Sequence, residues 1–253
     1  MRILIDTNIY LDFYRSNKDA LKIFDQVIIQ SDSIILTDQI IEEFYRNREK
    51  IIKTIRRSFE SDSKIEDFSS SFLQTLGEFQ QLISIQKEFK AKRKEIVDTI
   101  ILMQEDISKD PVASYFKEFM DKKQGAGQIL DRTDEIIARS HKRKMIGNPP
   151  ASDKYSMGDE INWEIILENI KDDILIVGRD NTFIDNISFL KVDFHKNTGR
   201  FISGLTDKIT VALQQLGINP GEDLEKIEKN QIDEIAHYGT YWISTKESGE
   251  KEN

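Results

Sequence analysis

Three short runs of branched apolar residues set the architecture of this chain: Ile3-Leu4-Ile5, Ile34-Ile35-Leu36 and Ile174-Leu175-Ile176-Val177. Each is too short for a core helix and too uniformly apolar for a strand with one wet face. Such a run is the signature of a strand buried on both sides. Each also stops abruptly at polar residues: Asp6-Thr7-Asn8, Thr37-Asp38, and Gly178-Arg179-Asp180. Between the first two runs, apolar side chains at 20, 21, 23, 24, 27 and 28 fall at helical spacing. A longer helical stretch follows from about Asp38 to Arg57. Strand and helix alternating in this way predict an α/β fold whose central sheet is mainly parallel.

From Ser58 to Lys144 the pattern changes to Ser-rich turns and long charged helical segments with no strand. Gly125-Ala126-Gly127 reads as a turn between two helices. The stretch is expected to be a helical insertion at about 58–146. It is closed by Gly147-Asn148-Pro149-Pro150, because consecutive prolines cannot continue a helix. The core pattern then resumes with a helix from Met157 to Asn169 and the Ile174 strand. Val192-Asp193-Phe194 is a candidate short edge strand, and Gly199 to Leu216 a final core helix. This reading divides the chain into a core domain at 1–200 and a C-terminal helical extension and tail at 201–253. The N-terminal apolar run is too short for a signal peptide and no stretch is long enough to span a membrane, so a cytoplasmic protein is expected.

In a parallel sheet the strand C-termini share one edge, and ligands bind in the crevice beyond it. Asp6 and Asp180 stand at that edge. Glu42 and Glu43 lie one to two turns into the helix after the second strand, and Asp159 begins the helix before the Ile174 run. Several carboxylates in one cleft need protons or a cation. The chain has no cysteine and only three histidines, His141, His195 and His237, dispersed along it. Thiolate and Cys-zinc chemistry are therefore excluded, and a hard cation on oxygen ligands, Mg2+ or Mn2+, fits best. Two such ions can clamp both oxygens of a phosphodiester displacement.

The net charge of −9 argues against a chain that merely coats nucleic acid. Basic residues are nevertheless gathered locally: Arg46, Arg48, Lys50, Lys53, Arg56 and Arg57, then Lys87 to Lys94, then Arg139 to Lys144. They read either as solvated faces or as a phosphate track leading to Glu43. Phe44 and Trp163 sit at core spacing, and Asp185 competes with Asp180 for its place.

Four segments together resemble the PIN-domain nucleases. Ile-Leu-Ile-Asp6-Thr7-Asn8 followed by Leu11-Asp12-Phe13-Tyr14-Arg15 is similar to the family's opening. The stretch from Thr37 to Arg48, with Glu43 directly before Phe44, resembles the second block. Gly158-Asp159-Glu160-Ile161-Asn162-Trp163 resembles the third, and Ile176-Val177-Gly178-Arg179-Asp180 the fourth, although the family usually has Thr or Ser where Gly178 stands. The resemblance covers roughly residues 1 to 200 and implies a three-layer α/β/α PIN-like fold with a large helical insertion. It implies a Mg2+- or Mn2+-dependent ribonuclease or structure-specific nuclease, with RNA favoured over DNA as substrate, Asp6, Glu43, Asp159 and Asp180 as catalytic metal ligands and Asn8 lining the site. Arg46, Arg48, Lys154 and Arg179 are the further candidate substrate contacts. Stand-alone members are often toxins of toxin–antitoxin pairs or antiviral-defence effectors, which implies an antitoxin or defence partner. The insertion offers a surface for a homodimer.

Two rival classes remain. An aspartyl phosphatase needs an acid two residues after its nucleophile, and Asn8 cannot serve. The other is a non-catalytic scaffold that binds RNA or a protein partner; a pure RNA binder gains nothing from clustered carboxylates facing phosphate.

Overall fold

A computed structural model describes residues 1–60, 75–150, 157–179 and 181–249, with the backbone alone at 181 and 237–249. Five strands form one sheet: β1 (Arg2–Ile5), β2 (Ile34–Thr37), β3 (Ile129–Leu130), β4 (Ile174–Val177) and β5 (Ile202–Thr206). Their order is β3-β2-β1-β4-β5 and every pairing is parallel. Helices cover the sheet in a three-layer α/β/α arrangement. Residues 3–5, 34–37 and 174–177 are buried throughout, as expected of strands with helices on both faces. Leu4 lies opposite Ile35 on one side and Ile176 on the other, so β1 is central.

The helices are α1 (Thr7–Leu11), α2 (Leu21–Ile29), α3 (Asp38–Glu60), α4 (Gly77–Glu105), α5 (Pro111–Gly125), α6 (Asp134–Met145), α7 (Gly158–Asn169), α8 (Asn181–Ile184), α9 (Ile187–Thr198), α10 (Ile209–Gln215) and α11 (Glu222–Gly249). Two compact units result: 1–47 with 115–253, and 48–114. In the first, Tyr10, Phe24, Phe44, Phe116 and Phe119 form an aromatic cluster, with Phe44 and Phe116 stacked at 3.8 Å between centroids. In the second, Arg48 Nε meets Asp110 Oδ2 at 2.8 Å. Asp110 Oδ1 accepts from the Ala113 amide at 3.0 Å, capping α5 directly before Pro111.

Three expectations are corrected. Gly125-Ala126-Gly127 leads into a strand, not a second helix: β3 pairs with β2 through Leu36–Ile129 and Thr37–Leu130. Two half-buried residues carry too little apolar pattern to be read. Val192-Asp193-Phe194 is helical, within α9, where Leu190 and Phe194 are buried four residues apart and Val192 is exposed. Residues 199–216 are not one helix. Gly199, at φ 70°, ends α9 in the left-handed conformation that glycine permits. β5 follows, paired with β4 from Ile202 to Thr206, and then α10. Only Ile202 of β5 is buried, and Ser203 and Gly204 dilute its pattern. The sheet therefore continues past residue 200.

Candidate active site

Asp6 sits where β1 gives way to α1. Its amide donates to the Val177 carbonyl at 2.9 Å, joining the ends of β1 and β4. Its carboxylate makes no cap to α1, and Oδ2 accepts from Asn8 Nδ2 at 3.2 Å. Thr7 is buried and donates from Oγ1 to Glu43 Oε2 at 3.1 Å. The other Glu43 oxygen, Oε1, lies only 1.9 Å from where a side chain on Gly158 would begin. A side chain there would displace the carboxylate, which already fills the space. Glu43 therefore touches both the residue after Asp6 and the residue before Asp159. Arg46, half exposed, stands 3.5 Å from Glu43 Oε1 on the same helix.

Asp159 is held at this edge by the anchoring of α7. Thr37 Oγ1, at the end of β2, donates to Asn162 Oδ1 at 2.5 Å and accepts from the Ile40 amide at 3.0 Å. Trp163 is buried and donates from Nε1 to Asp193 Oδ2 at 2.9 Å. Glu164 is clamped by Arg139 at 3.0 Å and Arg143 at 2.7 Å. Arg143 also meets Asp193 at 2.9 Å, and Lys144 meets Glu160 at 3.6 Å. The Arg139–Lys144 run thus serves largely to bind α6 to α7, which corrects its reading as a phosphate track.

Two candidate substrate contacts are also placed elsewhere. Arg48 is 2% exposed and is consumed by Asp110 and the Met103 carbonyl. A guanidinium buried on a buried carboxylate has no face left for phosphate. Arg179 donates from Nη1 to Asp12 Oδ2 at 2.5 Å and from Nε to the Asp207 carbonyl at 3.2 Å. Asp12 is 5% exposed; burial pushes its carboxyl upward, and Arg179 and Arg15 pull it back. Arg179 is the counter-charge that keeps this carboxylate tolerable inside the fold. Lys154 and Asp180 lie outside the described residues, and Asp185 is exposed beyond α8. At Gly178 a side chain would meet Asp6 Cβ at 3.7 Å and Phe183 at 3.8 Å, ordinary contact distances, so a hydroxyl residue would fit.

Sequence reasoning missed Thr7, which bonds Glu43, and Gln39, whose Nε2 lies 3.2 Å from the position of a Gly158 side chain and whose Oε1 accepts from Arg132. Thr7 had a signal, its place next to Asp6. Arg132 had none, because its partners lie ninety or more residues away.

Among the described residues, no three acids or histidines form a metal-binding group. The donor chemistry still fits a hard divalent ion: Asp6, Glu43 and Asp159 offer only oxygens. Among the described residues no helix is long and apolar enough to cross a membrane. A family model described as a PIN domain matches residues 3–183. No curated protein and no solved structure matches the chain.

Proposed function

The chain belongs to the PIN-domain family, whose members are generally nucleases, and from this we propose a metal-dependent endonuclease that hydrolyses phosphodiester bonds in RNA. The observation that carries the reading is the double contact of Glu43, with Thr7 on one oxygen and the Gly158 backbone against the other. It joins the start of α1, directly after β1, to α3 and α7, beside the end of β4, at the sheet edge where ligands of parallel sheets bind.

Asp6, Asp159 and Asp180 would hold Mg2+ or Mn2+, with Glu43 completing the acidic wall. When bound, the ion supplies positive charge that acidifies an attacking water and offsets charge on the phosphate. The protein's own part is positioning. Asn8 holds one Asp6 oxygen by hydrogen bond, and Thr7 and Gly158 fix the two oxygens of Glu43. Arg46 and Lys154 are the cations we assign to the RNA backbone, where contacts place a substrate without reading its sequence. A toxin or antiviral-defence effector is the biological setting we assign, on the habits of the family.

The test is Asp6→Asn assayed on labelled single-stranded RNA with Mg2+ or Mn2+. Cleavage is expected to fall by at least about a hundredfold, in the range of losses of a key catalytic charge. Undiminished cleavage overturns the site. Absence of Mg2+ or Mn2+ binding to the wild type by calorimetry would instead favour a binding scaffold.

A further inference from the structure

Arg132 follows β3 by two residues, and Asp38 and Gln39 follow the β2 residue Thr37 by one and two. Because Thr37 and Leu130 are register partners, the parallel ladder itself brings these side chains together. Arg132 Nε lies 2.9 Å from Asp38 Oδ2, Nη1 donates to Gln39 Oε1 at 2.7 Å, and Nη2 is paired with Glu42. Its backbone amide also donates to Asp38 Oδ2 at 3.2 Å. Gln39 is 4% exposed.

The chemistry of these groups fixes an orientation. A guanidinium has donors and no acceptor, so Gln39 must turn its oxygen to Arg132. Its NH2 group then points the other way. Gln39 Nε2 lies 3.2 Å from the position of a Gly158 side chain, the same point that Glu43 Oε1 approaches to 1.9 Å. Gln39 and Glu43 are four residues apart on α3 and share a face. We propose that Arg132 is a positioning residue for the acidic site: it locks the Gln39 amide so that its NH2 group faces the Glu43 carboxylate. An ion clamp on Asp38 and Glu42 alone would not need Gln39. An NH2 group held there limits the rotation of the Glu43 carboxylate, the positioning part that outer groups play around metal-ligating side chains. The importance of this to catalysis rests on the nuclease reading above; the orientation itself does not.

The experiment uses the full-length, metal-free, 15N-labelled protein. The Gln39 side-chain NH2 signals are assigned by their loss in Gln39→Met. In the wild type they are expected to be protected from exchange and to shift in Glu43→Gln. Arg132→Leu should remove the protection, and Arg132→Lys, still able to donate to Oε1, should restore part of it. Signals indifferent to Arg132→Leu or to Glu43→Gln overturn the orientation. Mn2+ titration of the same variants by calorimetry should show binding weakened about 10- to 100-fold in Arg132→Leu and in Gln39→Met. Unchanged affinity overturns the positioning role even if Tm falls. If the wild type binds no Mn2+, the nuclease reading fails, and the amide signals alone decide whether Arg132 orients Glu43.

Discussion

Glu43 and Gly158 illustrate how one missing Cβ holds a carboxylate in place. An alanine at 158 would put an atom 1.9 Å from Glu43 Oε1, but what must yield is the end of a flexible side chain. The cost to stability should be small, and alanine's better helix propensity in the first turn of α7 offsets it. Gly158→Ala is therefore expected to keep its unfolding free energy within about 1 kcal/mol of wild type. RNA cleavage should fall by about 100-fold, the scale of a roughly 1 Å misplacement at a catalytic centre. Thermal unfolding beside single-turnover rates checks both; a folded variant with wild-type rates would remove Glu43 from the site. Arg48 makes the opposite prediction. Arg48→Met leaves Asp110 buried without its countercharge, which should cost about 3–5 kcal/mol in urea unfolding. The cleavage rate per folded molecule should stay unchanged. Neither role was legible from the chain. A basic residue in a run looks the same whether it faces water or a carboxylate 62 residues away, as for Arg48, or 167 away, as for Arg179.

Among the elements, legibility followed burial. β1, β2 and β4 are apolar throughout because helices cover both faces, and their limits could be read directly. β3 and β5 are the outer strands, partly exposed and diluted by Ser203 and Gly204, and neither gave a pattern. The order of the acids along the chain pointed to Asp6, Glu43, Asp159 and Asp180. The contacts through Thr7 and Gly158 required the sheet. The same holds for α10, whose start is capped from α11. Glu228 is fully buried and accepts from the amides of Ile209 at 2.6 Å and Thr210 at 2.9 Å, and from the Thr210 hydroxyl. Burial raises its carboxyl above the ordinary value of 4.5, with the hydrogen bonds from Thr210 opposing. A raised folded value means that the folded state holds the proton more tightly. The resulting stability is fully present below the ordinary value and is lost as pH rises through the raised one. Relative to Glu228→Gln, the wild type should thus gain stability as pH falls from neutral toward 4.5. Paired urea midpoints across that window check the sign, and a gap moving the other way refutes it.

At the scale of the molecule, the −9 charge is not spread evenly in purpose. Some acids are consumed by arginines inside the fold, as Asp12, Asp110 and Glu164 are, while Glu43 lies against Thr7, the neighbour of Asp6, and Gly158, the neighbour of Asp159. The unit 48–114 contains none of the four candidate site acids and none of the five strands. Tyr45 and Phe116, which belong to the first unit and flank the two ends of 48–114 in sequence, pack with ring centroids 5.9 Å apart. Joining Asn47 to Tyr115 by a short Gly-Ser linker should therefore leave a folded protein with a cooperative thermal transition and retained cleavage of short RNA. Loss of that transition would show that the first unit needs the second. Residues 48–114 enter the chain between β2 and β3, whereas β1 and β4 are hydrogen-bonded neighbours. Descendants of such a gene can lengthen, trim or exchange the inserted stretch as a cassette without shifting the β1–β4 register. Divergence is thereby channelled into one interval, while selection against change concentrates on a few strand-end positions.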